Sequence, residues 1–173
     1  MVAMTVDSSR IIEPRDAAGL LVVAIDRLPA WILPPYGATW VAMPRLTALA
    51  ARGIVFDRVI AATDEPRATL GDLLGGGGEP APLVAAAAAR GWRAALVTDD
   101  ATATVAGADV TREVAAPRPM PADEIEETCL ARLGAAARGV VAAGGHRLVV
   151  VHATSLGVCW DAPPEFREAY FDP

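Results

Sequence analysis

The sequence predicts a three-layer α/β fold with a mainly parallel sheet, and three observations predict it. Leu20–Ile25, Arg93–Thr98 and Arg147–Thr154 are near-continuous aliphatic runs of strand length, the pattern of strands buried on both faces. Stretches with helical spacing lie between them and stop at Gly53, Gly91 and Gly144-Gly145, as helices capped by glycine do. Two of the runs end in aspartate, at Asp26 and at Asp99-Asp100, on the carboxyl edge where open α/β sheets form their ligand crevice.

Taken in order, residues 1–18 are polar and unpatterned and read as a loose amino-terminal arm, leaving 19–173 as one domain. The first strand, Leu20–Ile25, is followed by a polar and aromatic loop and by a helix over Pro44–Arg52, in which Leu46, Leu49 and Ala50 share a face. Ile54–Ala61 alternates and then runs apolar, which predicts a second strand ending at Thr63-Asp64-Glu65-Pro66-Arg67. A short helix over Ala68–Leu74 follows. Gly75 to Gly78 lack a preceding strand and the Gly-Lys-Ser/Thr ending of a phosphate loop, so they read as a connection. Pro82–Arg90 is the next helix and Arg93–Thr98 the next strand; Val105–Val114 is weakly strand-like. Pro117, Pro119 and Pro121 form a semi-rigid linker. Ala122–Ala143 has helical periodicity, with Asp123, Glu124, Glu126 and Glu127 at the positive amino end. Arg147–Thr154 closes the core.

Composition narrows the classes of function. A chain of 173 residues buries roughly 70% of its unfolded surface, enough for a real core. No segment approaches the ~20 continuous apolar residues of a membrane span. Asp7, Glu13 and Asp16 interrupt the start where a secretory leader would be apolar, so the expected location is the cytoplasm. A net charge of −6, with no basic stripe, argues against nucleic acid as a partner. Cys129 and Cys159 lack metal-ligand spacing and read as reduced thiols.

From Leu20 to Arg58 the chain combines an aliphatic strand ending in Asp26, then Leu28, Tyr36-Gly37, Pro44, Leu46-x-x-Leu49-Ala50-x-x-Gly53 and Ile54-Val55-Phe56-Asp57-Arg58. This order resembles the amino-terminal segment of sulfatases, in the alkaline-phosphatase-like superfamily. Leu83–Thr98 is similar to that family's helix, Arg-Gly-aromatic and strand. Val149–Pro173 is similar to its strand followed by an aromatic-Asp-x-Pro approach to the active site. The resemblance implies a sulfatase-like three-layer fold that stops well short of the family's usual length.

Active sulfatases carry a formylglycine made from Cys or Ser in a Cys/Ser-x-Pro-x-Arg motif, a Ca²⁺ ion on acidic and amide ligands, and Lys and His on the ester oxygens. The resemblance places Arg67 at the motif arginine and Thr63 at the nucleophile; Thr cannot become formylglycine, although metal-activated Thr serves phosphate-transferring relatives. Asp26 matches the first acid of the family's metal-binding pair, which makes it the candidate ligand for Ca²⁺ or another divalent cation. Arg27 replaces the second acid, Thr98-Asp99-Asp100-Ala101 replaces the Gly-Lys-x-His segment, and Gly157 replaces a histidine. Ca²⁺ takes six to eight oxygens, and one carboxylate supplies at most two.

Each residue also has a plainer reading. Asp26 can cap a loop, Asp99 and Asp100 can be loop residues, and His152, inside an aliphatic run, reads as a packed and hydrogen-bonded core histidine. Asp26, Thr63 and Asp99 are expected to converge at one edge. The leading expectation is a catalytically impaired sulfatase-like domain retaining an anion-, metal- or protein-binding role. The alternatives are an active metal-dependent hydrolase of sulfuric or phosphoric esters and a structural or regulatory remnant. A sulfate- or phosphate-bearing small molecule is the expected ligand class. The shortened fold predicts an uncovered apolar face or strand edge, hence a homodimer or partner protein, with Trp160–Pro173 lying across the exposed region.

Overall fold

A computed structural model describes residues 19–60, 63–74, 82–115, 120–157 and 161–168. The fold is α/β, built on an open, all-parallel sheet of four strands: β1 Leu20–Ile25, β2 Arg93–Thr98, β3 Val110–Glu113 and β4 His146–Ala153, in the order β1-β4-β2-β3. The helices are α1 Pro44–Ala50, α2 Pro66–Leu73, α3 Pro82–Ala88, α4 Cys129–Ala143 and α5 Pro164–Glu168. None is long and apolar enough to cross a membrane. The expected arm over 1–18, the glycines 75–78 and Cys159 lie outside the described residues.

The three aliphatic runs became strands β1, β2 and β4; β4 and β2 lie at the centre of the sheet with apolar neighbours on both faces, and β1 lies at its edge. On one face Val22, Ala24, Leu96, Leu148 and Val150 meet Val84 and Ala87 of α3 and Leu70 of α2. On the other, Ile25, Val97, Val149, Val151 and Ala153 meet Cys129, Leu133 and Ala137 of α4. Fully burying one such side chain stabilises by about 1.5–3 kcal/mol. Helix α3 ends at Ala88, two residues before the expected Arg90, and is closed at the expected glycine by a Schellman arrangement: Trp92 donates to Ala87 O and Gly91 to Ala88 O, with Gly91 at φ 71°.

Several elements differ from the sequence reading: α1 ends at Ala50 instead of Arg52, β3 covers only Val110–Glu113 of the expected Val105–Val114, and β4 is shifted to His146–Ala153. Helix α4 starts at Cys129, not Ala122, because Thr128 is its N-cap and accepts from Ala131 N; the acidic residues before it form a separate 3₁₀ turn over Ile125–Glu127. Helix α2 starts at Pro66, where the Glu65 side chain accepts from Ala68 N at 2.6 Å. The strand expected over Ile54–Ala61 is absent from the described part of that segment, and Ile60 is 95% exposed. An alternating pattern becomes a strand only where it pairs with one; among the described residues this segment joins no ladder and is tied instead by Tyr36 OH to Phe56 O.

The same sheet leaves a strip uncovered. Helix α4 lies over β4 and β2, and beside it an apolar groove of about 770 Å³ is floored by Leu21, Val23 and Ile25 of β1 and walled by Leu130, Gly134 and Val141 of α4. Leu21 and Val23 are 57% and 56% exposed. Of the tail expected to lie across the exposed region, only 161–168 is described, and its Phe166 is itself exposed.

Gly19, immediately before β1, lies tight against the backbone of β4. A Cβ there would sit 2.8 Å from the Arg147 carbonyl oxygen, a backbone atom that cannot step aside. Gly19→Ala should therefore destabilise the fold by about 1–3 kcal/mol, read as a lower urea midpoint, whereas Gly71→Ala, with nothing within 4 Å, should not.

Candidate functional site

At the end of β1, Asp26 N donates to Ala153 O at 2.8 Å, extending the ladder one residue beyond the strand. Arg27 then turns the chain in the left-handed region, at φ 58°, which costs a non-glycine residue about 1–2 kcal/mol. The turn sends the guanidinium back across the edge, where Nη1 donates to Gly157 O at 2.9 Å. A side chain at position 157 would run into it, since a Cβ there would lie 2.9 Å from Arg27 Cδ. Arginine at 27 and glycine at 157 are therefore one arrangement.

The Asp26 carboxylate faces β4. Its Oδ2 lies 3.3 Å from Nε2 of His152, whose Nδ1 lies 3.3 Å from Thr98 Oγ1 on β2. Thr98 Oγ1 accepts from Asp100 N at 3.0 Å. Register makes this inevitable, because His152 pairs with Ala24 on one side and Thr98 on the other. With the ring proton on Nε2, donors and acceptors alternate along the line: Asp100 N–H to Thr98, Thr98 O–H to Nδ1, Nε2–H to Asp26. His152 is 0% exposed; no substrate reaches it, in keeping with a packed and hydrogen-bonded core histidine.

A second polar knot occupies the opposite face of the same edge. Asp99 Oδ1 accepts from Thr154 N at 2.8 Å and from Thr154 Oγ1 at 3.0 Å, while Oδ2 accepts from the Cys129 thiol at 3.3 Å. Cys129 N in turn donates to Asp161 Oδ2 at 2.6 Å, which fastens the start of α4. Burial, and after it the hydrogen bond to Asp99, pushes the Cys129 thiol from 9.0 up to about 12, so it is no nucleophile at neutral pH. The Ser155 hydroxyl is buried beside this edge without a hydrogen-bond partner among the described residues.

Asp26 and Asp99 thus meet at one edge, as the sequence suggested. Thr63 is bound into its own loop: Oγ1 accepts from Glu65 N at 3.1 Å, and its carbonyl accepts from Thr69 Oγ1 at 3.3 Å. Arg67 lies in the first turn of α2, and its side chain is outside the described residues. Among the described residues no group of three His, Cys, Asp or Glu side chains could hold a metal ion. Thr98, Thr154 and Asp161 were not singled out from sequence; each meets its partner far along the chain, and only the β2–β4 register could have found the first. No family model, curated protein or solved structure matches this chain.

Two outcomes follow from Asp99. Asp99→Asn puts an amide donor among the donors Thr154 and Cys129, and should cost about 1–3 kcal/mol in urea unfolding. The raised thiol value also sets an alkaline limit. The unfolded chain releases the Cys129 proton near 9.0 while the folded chain keeps it to about 12, so stability should fall as pH rises between those values. Cys129→Ser should flatten that slope in a pH series of thermal melts.

Proposed function

We propose that this chain is a catalytically impaired sulfatase-like domain, three-layered in the manner of that family, whose surviving role is binding. One observation carries the reading: the two carboxylates at the carboxyl edge of the sheet, Asp26 and Asp99, are engaged with neighbouring groups of the chain. Asp26 faces a wholly buried histidine, both Asp99 oxygens accept internal hydrogen bonds, and Thr63 caps its own loop. Activated nucleophiles need a base within reach, and Ca²⁺ needs a cage of oxygens; Arg27 stands instead where the resemblance puts a second acid, its guanidinium held across the edge. The uncovered strip beside β1 supports association with protein as the main role, in the cytoplasm.

Arg27 also favours a second reading, a site for a sulfate- or phosphate-bearing small molecule, since it fixes a planar cationic fork at the ligand edge of the sheet. Calorimetric titration of the whole chain with inorganic sulfate and phosphate tests it; saturable binding lost in Arg27→Ala would support it.

The main reading is tested by turnover. Aryl sulfate and aryl phosphate esters, assayed with Ca²⁺, Mg²⁺ or Mn²⁺, should show no metal-dependent hydrolysis above the uncatalysed rate. Hydrolysis that requires metal and disappears in both Asp26→Ala and Thr63→Ala would establish an active ester hydrolase instead.

A further inference from the structure

Strand β1 ends the sheet, and among the described residues nothing pairs with its outer edge. Asp26 N points at β4, and backbone groups alternate sides along a strand, so the N–H and C=O of Leu21, Val23 and Ile25 point outward. Natural edge strands are usually blunted by a charge, a proline or a bulge. The six residues LLVVAI carry none of these, and the pairing to β4 is regular throughout.

We propose that a second copy of this chain pairs with that edge, β1 against β1 antiparallel about a two-fold axis through Val23, joining two four-stranded sheets into one. The strand is self-complementary in this register. Val23 faces Val23 of the other copy, and Leu21 faces its Ile25, so every outward N–H and C=O of the strand gains a partner. Residues opposite one another fall on the same face, and the apolar ladder Leu21–Ile25, Val23–Val23, Ile25–Leu21 continues the floor of the groove across the axis. The two grooves merge into one trough bounded by both copies of α4.

Charge favours a copy of the same chain despite its net −6. The paired segments contain no ionisable group, and the antiparallel register puts the Asp26 carboxylates six residues apart along the strand, roughly 20 Å at ~3.3 Å per residue. Like charges therefore stay beyond the Debye length at physiological salt. A parallel pairing of the two edges would bring both Asp26–Arg27 turns side by side. This inference stands on the strand edge and does not depend on the sulfatase-like reading of the opposite features.

The test is sedimentation equilibrium of the full chain, with hydrogen exchange on the same samples. At about 100 μM the mass should be twice 17.9 kDa and should fall on dilution. The outward amides of Leu21, Val23 and Ile25 should lose protection in step with it. Val23→Lys places like charges opposite each other across the axis and should give a single-chain mass at every concentration. Val23→Pro removes an outward N–H, which an edge strand tolerates, and should do the same with an unchanged far-UV spectrum. A wild-type mass of one chain throughout would overturn the proposal, as would a dimer that both variants leave intact. Amides protected in a single-chain species would also overturn it, placing another part of the same chain on the edge.

Discussion

The buried carboxylate of Asp99 is the constraint on which the carboxyl edge depends. It is the first residue after β2, yet its hydrogen bonds reach the end of β4 through Thr154 and the first residue of α4 through the Cys129 thiol. One side chain thus joins the two central strands to the helix that covers them. Burying a carboxyl group is costly unless its oxygens are bonded; here the donors come from elements brought together only by the finished fold. The site therefore exists only when sheet and helix have both formed, and it stabilises their union.

The opposite face of the edge follows the same logic with different chemistry. His152 sits between Asp26 and Thr98 because parallel register aligns Ala24, His152 and Thr98 across three strands. Arg27 then closes the edge by reaching Gly157. The guanidinium lies where a side chain at position 157 would stand, so a residue larger than glycine there would shift the exposed arginine from its hydrogen bond to the 157 carbonyl.

Much of this was legible in the sequence, for reasons that differ by element. Three strands announced themselves because residues apolar on both faces need no partner to be recognised, and Asp26 and Asp99 were placed at one edge by lying at the ends of two of them. The Ile54–Ala61 run has a similar local pattern but joins no ladder among the described residues, which no local pattern reveals. The start of α4 lies later than the pattern suggests because acidic residues such as Glu126 and Glu127 suit a first helical turn as well as the 3₁₀ turn they form, and Thr128 is the start signal, as the N-cap. Thr98, Thr154 and Asp161 act through partners distant in sequence, so their roles exist only in three dimensions. The uncovered strip beside β1 follows from the strand order β1-β4-β2-β3, which no local pattern reveals.

The Asp26 and Asp99 carboxylates of the carboxyl edge are engaged with neighbouring groups of the chain, and among the described residues no cluster of three His, Cys, Asp or Glu side chains could hold a cation. The most direct measurement is an NMR titration of the full chain with Ca²⁺, following the side-chain carboxyl carbons of Asp26 and Asp99 and the amide of Thr154. All three resonances should stay in place while exposed carboxylates shift weakly and without saturation. A saturable shift of the Asp26 and Asp99 carboxyls, with loss of the Thr154 amide's protection, would contradict that engagement and show that the edge opens to take a metal.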